Sequence, residues 1–382
     1  MNKKTIIIIA IVLILLAAVV LIPRCTGGEK DTIKIGAILP LTGNFAYYGV
    51  SPQQGMIIAA DEINSAGGVN GHKLELLFED SQGKPDLALS AYHKLSTMQN
   101  VQYFVSSLTA PSMAVKDKVK DTNAAQIIFA MTDNISENTE NVLRIYPGMI
   151  EEGKSVLKAI KVLNSSRVAI MNLKHESYTQ QIESVLKPGF AEASIRLVSH
   201  EEYDGNNLTS LPETVQRIKR TNPDVLYISG HTNFMYPMIK AVIESGLLES
   251  TKVITGMTLP IAIQGNSVDV RDIEGFYSAS PTYFQDITNL GAHPELQELE
   301  RNMKAKFNSP ISMDAITGYV TLKILAAGMS NGVKDPLDVI QQIKQIKSFS
   351  NLGTTVTILP NGSCEWPWSY GQYQNGKLIP LK

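Results

Sequence analysis

Two hydrophobic rhythms exchange places along this chain, one alternating at every second residue and one at helical spacing. Thr32–Leu39 (TIKIGAIL) is a β-rich apolar run ended by Pro40, and Gln54–Ile63 carries apolar residues at helical spacing until Gly67 and Gly68 stop it. Lys73–Glu79 alternates as a strand does, Asp86–Met98 reads as an amphipathic helix, and Val101–Ser107 as a strand again. Ala114–Asp121 follows as helix and Gln126–Met131 as strand. The second half repeats the scheme. Helices at Glu151–Leu163, Tyr178–Phe190, Pro212–Arg220 and Asn233–Glu244 interleave with strands at Arg167–Leu173, Ile195–His200, Asp224–Ser229 and Lys252–Thr258. A loop-rich stretch, Tyr277–Pro294, precedes helices at Pro294–Lys306, Asp314–Met329 and Pro336–Ile346, a strand at Thr354–Leu359 and a hairpin-like tail.

Strands alternating with helices of this length indicate βαβ units, parallel sheets and helices on both faces. Strands such as VLYIS and QIIFAM are almost wholly apolar, as a sheet covered on both sides requires. About ten strands exceed one doubly wound sheet of ordinary size. The predicted fold is therefore α/β, with two Rossmann-like doubly wound lobes and a first break near Ile145–Gly148. Ligands of parallel sheets lie beyond the carboxyl ends of the strands, so two facing lobes create a cleft lined by post-strand loops.

The first 25 residues differ from all the others. Lys3 and Lys4 precede an unbroken apolar run from Ile6 to Ile22, followed by Pro23, Arg24 and Cys25. Seventeen residues at 1.5 Å each give about 25 Å of helix, at the short edge of what spans a bilayer. A basic start and an apolar core direct export, with the positive end kept inside. Cys25-Thr-Gly-Gly resembles the start of a bacterial lipoprotein, but Pro23 and Arg24 stand where lipidation sites carry a small residue. The expectation is an uncleaved anchor over residues 1–25, facing the periplasm or cell exterior, with a lipid anchor second and a free secreted protein third.

Composition narrows the chemistry. The 382 residues include 34 Lys+Arg against 36 Asp+Glu, a net charge of −2, so no basic field is available for nucleic acid. Two Cys exclude a disulfide-stapled domain, and Cys364 is expected to serve ordinary packing. The six His (72, 93, 175, 200, 231, 293) stand singly, without metal-ligand spacing, so neither metal nor cofactor is expected. No phosphate loop, dinucleotide fingerprint, zinc motif or nucleophile elbow occurs. Ser-x-x-Lys appears at Ser155–Lys158 and Ser184–Lys187, both times inside an amphipathic helix, where a solvated face explains it. No catalytic residues are assigned.

Ile33–Gly55 (IKIGAILPLTGNFAYYGVSPQQG) and Ala60–Pro85 (ADEINSAGGVNGHKLELLFEDSQGKP) resemble the opening of the type I periplasmic binding proteins. The similarity is greatest to the branched-chain amino-acid-binding family of ABC importers. Asn222–Gly230, Asp314–Tyr319 and Tyr373–Leu381 agree with it. The resemblance implies two lobes joined by three crossovers, with 32–148 plus 280–351 as lobe 1 and 149–279 plus 352–382 as lobe 2. It implies capture of a small-molecule ligand (an amino acid, amide or small polar acid), delivery to an ABC permease, and no bond made or broken.

Site residues follow from matched segments. Tyr48 corresponds to the aromatic that covers the ligand. Leu108, Thr109 and Ala110 correspond to the loop after the third strand, where the family has Ser in the last place and Thr109 can substitute. Met131, Thr132 and Asp133 correspond to the carboxylate-holding loop. An Asp there would repel a carboxylate by about 4 kcal/mol at 4 Å if the effective dielectric is near 20. Either Asp133 caps the following segment, or the ligand group it meets is neutral or cationic. In the second lobe the matches are Tyr178, His231 and Thr258, the last in a segment (Gly256–Leu259) that lacks the acidic residue the family's amino-acid binders aim at the ligand ammonium. A ligand-sensing ectodomain acting through a separate signalling partner is the alternative reading.

Overall fold

The computed structural model describes residues 32–282 and 293–381. The expected anchor, with Cys25, lies outside them. Among the described residues no helix is long and apolar enough to cross a membrane.

Five parallel strands form the first sheet: β1 (Ile33–Leu39), β2 (Leu74–Asp80), β3 (Tyr103–Ser107), β4 (Ala125–Phe129) and β5 (Val142–Arg144), in the order β2-β1-β3-β4-β5. The second sheet holds β6 (Arg167–Leu173), β7 (Arg196–Tyr203), β8 (Val225–Ser229), β9 (Lys252–Thr255) and β10 (Tyr277–Pro281), all parallel. A small antiparallel sheet follows, of β11 (Ser348–Asn351), β12 (Thr354–Ile358) and β13 (Cys364–Glu365). The chain then returns to the second sheet as β14 (Trp368–Gln374) and β15 (Lys377–Pro380), antiparallel at its edge.

Each large sheet is covered on both faces. In the first lobe, Ile35, Val105 and Ile127 pack with Leu296, Ile316 and Ile340 from the late helices, while Ile38, Phe104 and Ile128 pack against Tyr92 and Val115 on the other side. The second lobe repeats this with cores around Leu226 and Met238, and around Tyr227 and Phe190. Double coverage is why these strands are continuously apolar rather than alternating.

Two corrections concern the later part of the chain. Residues 352–382 were expected to join lobe 2, but Val356, Ile358, Cys364 and Trp366 belong to the first lobe's core, and only β14 and β15 extend the second sheet. The stretch from Tyr277, expected as loop, opens with strand β10, whose five residues are all buried. Its Ser, Ala and Pro content hides a central strand. The chain passes between the lobes at Ile145–Gly148 and at Trp366–Pro367, and β10 and the helix starting at Pro294 lie in different lobes.

At the first joint, Arg144 is buried and donates to the carbonyls of Tyr146 and Cys364 and, at 3.2 Å, to the Asp133 carboxylate. Cys364 is fully buried, and its thiol donates to the Tyr146 carbonyl at 3.7 Å. Ser184 donates to the carbonyl of Gln180 on a solvated helix face, as expected, but Ser155 is buried and donates to the Ser369 carbonyl of β14, a correction to the solvated-face reading of that copy.

Helix α1 (Tyr47–Ser65) begins seven residues before the expected start at Gln54, because Pro52 lies inside it and masked the periodicity. Pro52 cannot donate to the carbonyl of Tyr48, and that carbonyl instead accepts the Ser107 hydroxyl at 2.9 Å. Further along, α1 crosses the helix Met313–Gly328 at backbone contact: a Cβ on Gly55 would overlap the Ala315 carbonyl, and one on Gly318 the Pro52 carbonyl. Gly318→Ala should therefore overpack this crossing and lower stability by about 1–3 kcal/mol, measured as a lower urea midpoint with unchanged slope.

Candidate ligand-binding site

A cavity of about 260 Å³ lies between the lobes, at the carboxyl ends of the parallel strands of both sheets. The first lobe contributes Phe45 and Tyr48 from the β1–α1 connection, Leu108, Thr109 and Ala110 after β3, and Met131 after β4. The second contributes His175, Ser177 and Tyr178 after β6 and His231 after β8. Tyr146, on the first crossing, completes the wall beside them.

Hydroxyl groups close the gap. The Tyr48 hydroxyl makes a short hydrogen bond with the Thr232 hydroxyl on the opposite lobe. Thr132 links Thr109 and Ser177, each at 2.9 Å, so one chain of three hydroxyls crosses from lobe to lobe. Phe45 and His231 meet across the same line, with centroids 6.3 Å apart and rings nearly perpendicular.

Of the ten expected site residues, seven line the cavity: Tyr48, Leu108, Thr109, Ala110, Met131, Tyr178 and His231. Thr132 sits just behind the wall, bridging the hydroxyls. Two assigned residues leave the wall: Asp133 takes the capping alternative, and Thr258 is a correction. Asp133 turns away, accepting the amide of Ile150 at 3.0 Å while paired with Arg144, and so caps the helix α2 (Met149–Val162). Thr258 begins the short helix Thr258–Gln264, is buried in the second lobe, and lies 3.5 Å from the Met235 sulfur. The buried Glu152 carboxylate accepts the Met257 amide at 2.9 Å and holds this segment as a helix start instead of a cleft loop.

The wall residues not anticipated include Phe45, Ser177, His175 and Tyr146. The first three lie within three residues of assigned aromatics, so their signal was adjacency. Tyr146 carried none, because its role depends on the crossing.

Local geometry sets the site's polarity. Leu108, at φ 70° and ψ 149°, occupies a region that side chains rarely enter, costing about 1–3 kcal/mol. This bend starts the helix α3 (Thr109–Val119) at the cavity wall, where the Thr109 and Ala110 amides have no acceptor inside the helix. Opposite them, His175, Tyr178 and His231 form a triangle of edge-to-face rings with centroids 5.5 to 6.0 Å apart. Burial, with the neighbouring His175, pushes the His231 pKa down to about 4. Burial also lowers His175, whose Nδ1 accepts the Ser177 amide at 3.3 Å. Both imidazoles are neutral at pH 7. Burial holds the Tyr48 phenol up at about 12. Behind Tyr146, the buried carboxyl of Asp314 accepts that residue's hydroxyl at 2.8 Å and is pushed up to about 7 by burial.

Two doubly wound lobes shut over a common cavity define a two-lobed solute-binding protein. A family model for periplasmic binding proteins matches residues 32–377, and the chain belongs to that family. Its relatives include Leu/Ile/Val-binding protein homolog 3 of Brucella melitensis, 23% identical over 92% of this chain and 94% of its own length. Among solved structures, the branched-chain amino acid transporter substrate binding protein LivJ of Streptococcus pneumoniae, in complex with isoleucine, has a TM-score of 0.79 at 18% identity, covering 92% of this chain and 100% of that one. An ABC-transporter solute binding protein from R. palustris, in complex with benzoate, has a TM-score of 0.77 at 15% identity, covering 92% and 96%. The fold is that of the type I periplasmic binding proteins, as the sequence resemblance implied.

The two perturbed groups act on stability with opposite signs. His231 ordinarily protonates near 6.5 but only near 4 when folded, so between these values the unfolded chain binds the extra proton and stability falls as pH drops. Asp314 ordinarily titrates near 3.8 but near 7 when folded, so there the folded chain holds the extra proton and stability falls as pH rises. Asp314→Asn keeps an acceptor for Tyr146 and removes the second effect. The variant should gain more stability between pH 4 and pH 7 than the parent, by urea titration at both ends; equal gains would contradict the assignment.

Proposed function

We propose that this chain is the extracytoplasmic capture component of an ABC importer, holding an amino acid or related small polar metabolite between its lobes. The cavity built jointly by both lobes carries this reading. A solute touching both Thr109 and Tyr178 stabilises the shut form over the open one, and differential affinity of that kind is all a binding protein needs to signal occupancy. The permease in the membrane is the partner that reads the shut form. No step of this cycle requires a nucleophile or an acid–base pair, and the cavity wall supplies only hydrogen bonds and apolar surface. The apolar run Ile6–Ile22 is the tether that holds the protein at the outer surface. The isoleucine and benzoate complexes of the two structural relatives support a small organic solute.

Thermal unfolding of the full-length protein with amino acids, amides and small carboxylates tests this. A solute selective for the native state raises Tm. Tyr48→Ala should abolish the shift. Tyr48→Phe, which keeps the ring and loses the bond to Thr232, should weaken affinity about fivefold, equivalent to ~1 kcal/mol. A shift indifferent to Tyr48→Ala would place binding elsewhere and sink the reading.

A further inference from the structure

The wall of the interlobe cavity lacks any Asp, Glu, Lys or Arg among the described residues. Three carboxylates stand behind the wall, and none of them lines it. Asp133 is turned to Arg144 and the Ile150 amide, Asp314 accepts the Tyr146 hydroxyl on one oxygen and has the other unpartnered behind that ring, and Glu152 accepts from Tyr227, Gln181 and the Met257 amide. A primary ammonium enclosed here would meet no counter-charge, and an unpaired buried ion is heavily penalised.

An anion fares differently. The α3 N-terminus presents two amides without helical acceptors beside the Thr109 hydroxyl, with the positive end of the helix behind them. Across the cavity the Tyr178 side chain is 1% exposed and its hydroxyl has no partner. A second hydrogen-bonding group of a bound molecule would satisfy it. Between these two poles the lining is Phe45, Phe129, Tyr48 and the neutral His231, rings suited to the edge or face of another flat group.

Resting on the reading of this cavity as the binding site, we propose that its solute is a small monocarboxylate with an aromatic or flat apolar body, and that α-amino acids are excluded for want of a partner to their ammonium. The carboxylate sits at Thr109 and Ala110. The ring lies among the aromatics, with its far edge toward Tyr178. A quaternary ammonium acid would be the contrary solution, using the same rings as a cation-binding cage.

Isothermal titration of the full-length protein with benzoate, 4-hydroxybenzoate, leucine, phenylalanine and glycine betaine separates these. Benzoate or 4-hydroxybenzoate should bind at least tenfold more tightly than any of the other three. Ala110→Asp, a substitution at an exposed first-turn position that favours the helix, sets a carboxylate beside the bound one and should weaken the aromatic acid more than tenfold while leaving the unfolding midpoint unchanged. Tighter binding of leucine, phenylalanine or betaine, or silence of all five, overturns the proposal. If leucine binds and Tyr48→Ala removes it, the cavity stands and only the solute class fails. If benzoate binds but ignores both Tyr48→Ala and Ala110→Asp, the cavity reading itself fails, and the proposal with it.

Discussion

Closure of this protein rests on hydroxyl hydrogen bonds between lobes, beside the apolar contact of Met257 and Ile261 with the first lobe's core. Tyr48 meets Thr232, and Thr109, Thr132 and Ser177 form a bridge beside them. Each such bond contributes on the order of 1 kcal/mol net, because water offers nearly the same partners when the lobes part. The ion pairs of Arg144 with Asp133, Lys323 with Glu62 and Arg217 with Glu201 each sit within a single lobe. A seam of a few neutral bonds leaves open and shut forms close in free energy. A solute with modest differential affinity can then decide between them.

The same residues show where local rules give way to the site. Pro52 inside α1 releases the Tyr48 carbonyl to Ser107, fixing the first turn that carries the Tyr48 ring. Leu108 takes a backbone conformation suited to glycine so that α3 can start at the cavity. Both break propensity, Leu108 in the cavity wall and Pro52 one turn after Tyr48, and such departures concentrate at functional sites.

That pattern also explains what the sequence made legible. Most of the strand and helix alternation through Glu244 was readable because each element obeyed its own period, and β6 came out with the residues the apolar run marked, whereas β5, three residues long, was too short to show one and was missed. α1 was read late because Pro52 looks like a boundary. β10 was missed because Tyr-Ser-Ala-Ser-Pro lacks the branched residues of its neighbours, although its burial is complete. At the site, positions after strands were legible since topology alone puts them at the cleft. Asp133 was legible only as one of two alternatives and Thr258 was misplaced, because their directions are set by distant partners, the Ile150 amide for one and the Glu152-held segment for the other. Strand β12 was read at Thr354–Leu359, but Tyr146 and the pairing of β12 with β11 and β13 depend on how separate chain segments meet at the joint, which no local pattern encodes.

Three passages of chain between the lobes have a mechanical implication. A single tether would let the halves swing, twist and slide independently. Here the passages at Ile145–Gly148 and Trp366–Pro367 are locked together by the Arg144 guanidinium on the Tyr146 and Cys364 carbonyls, and tethers paired in this way restrict those freedoms. What is left resembles a book on its spine. A docking partner that senses the distance between two remote points on its covers learns whether the pages hold anything, without ever touching the page.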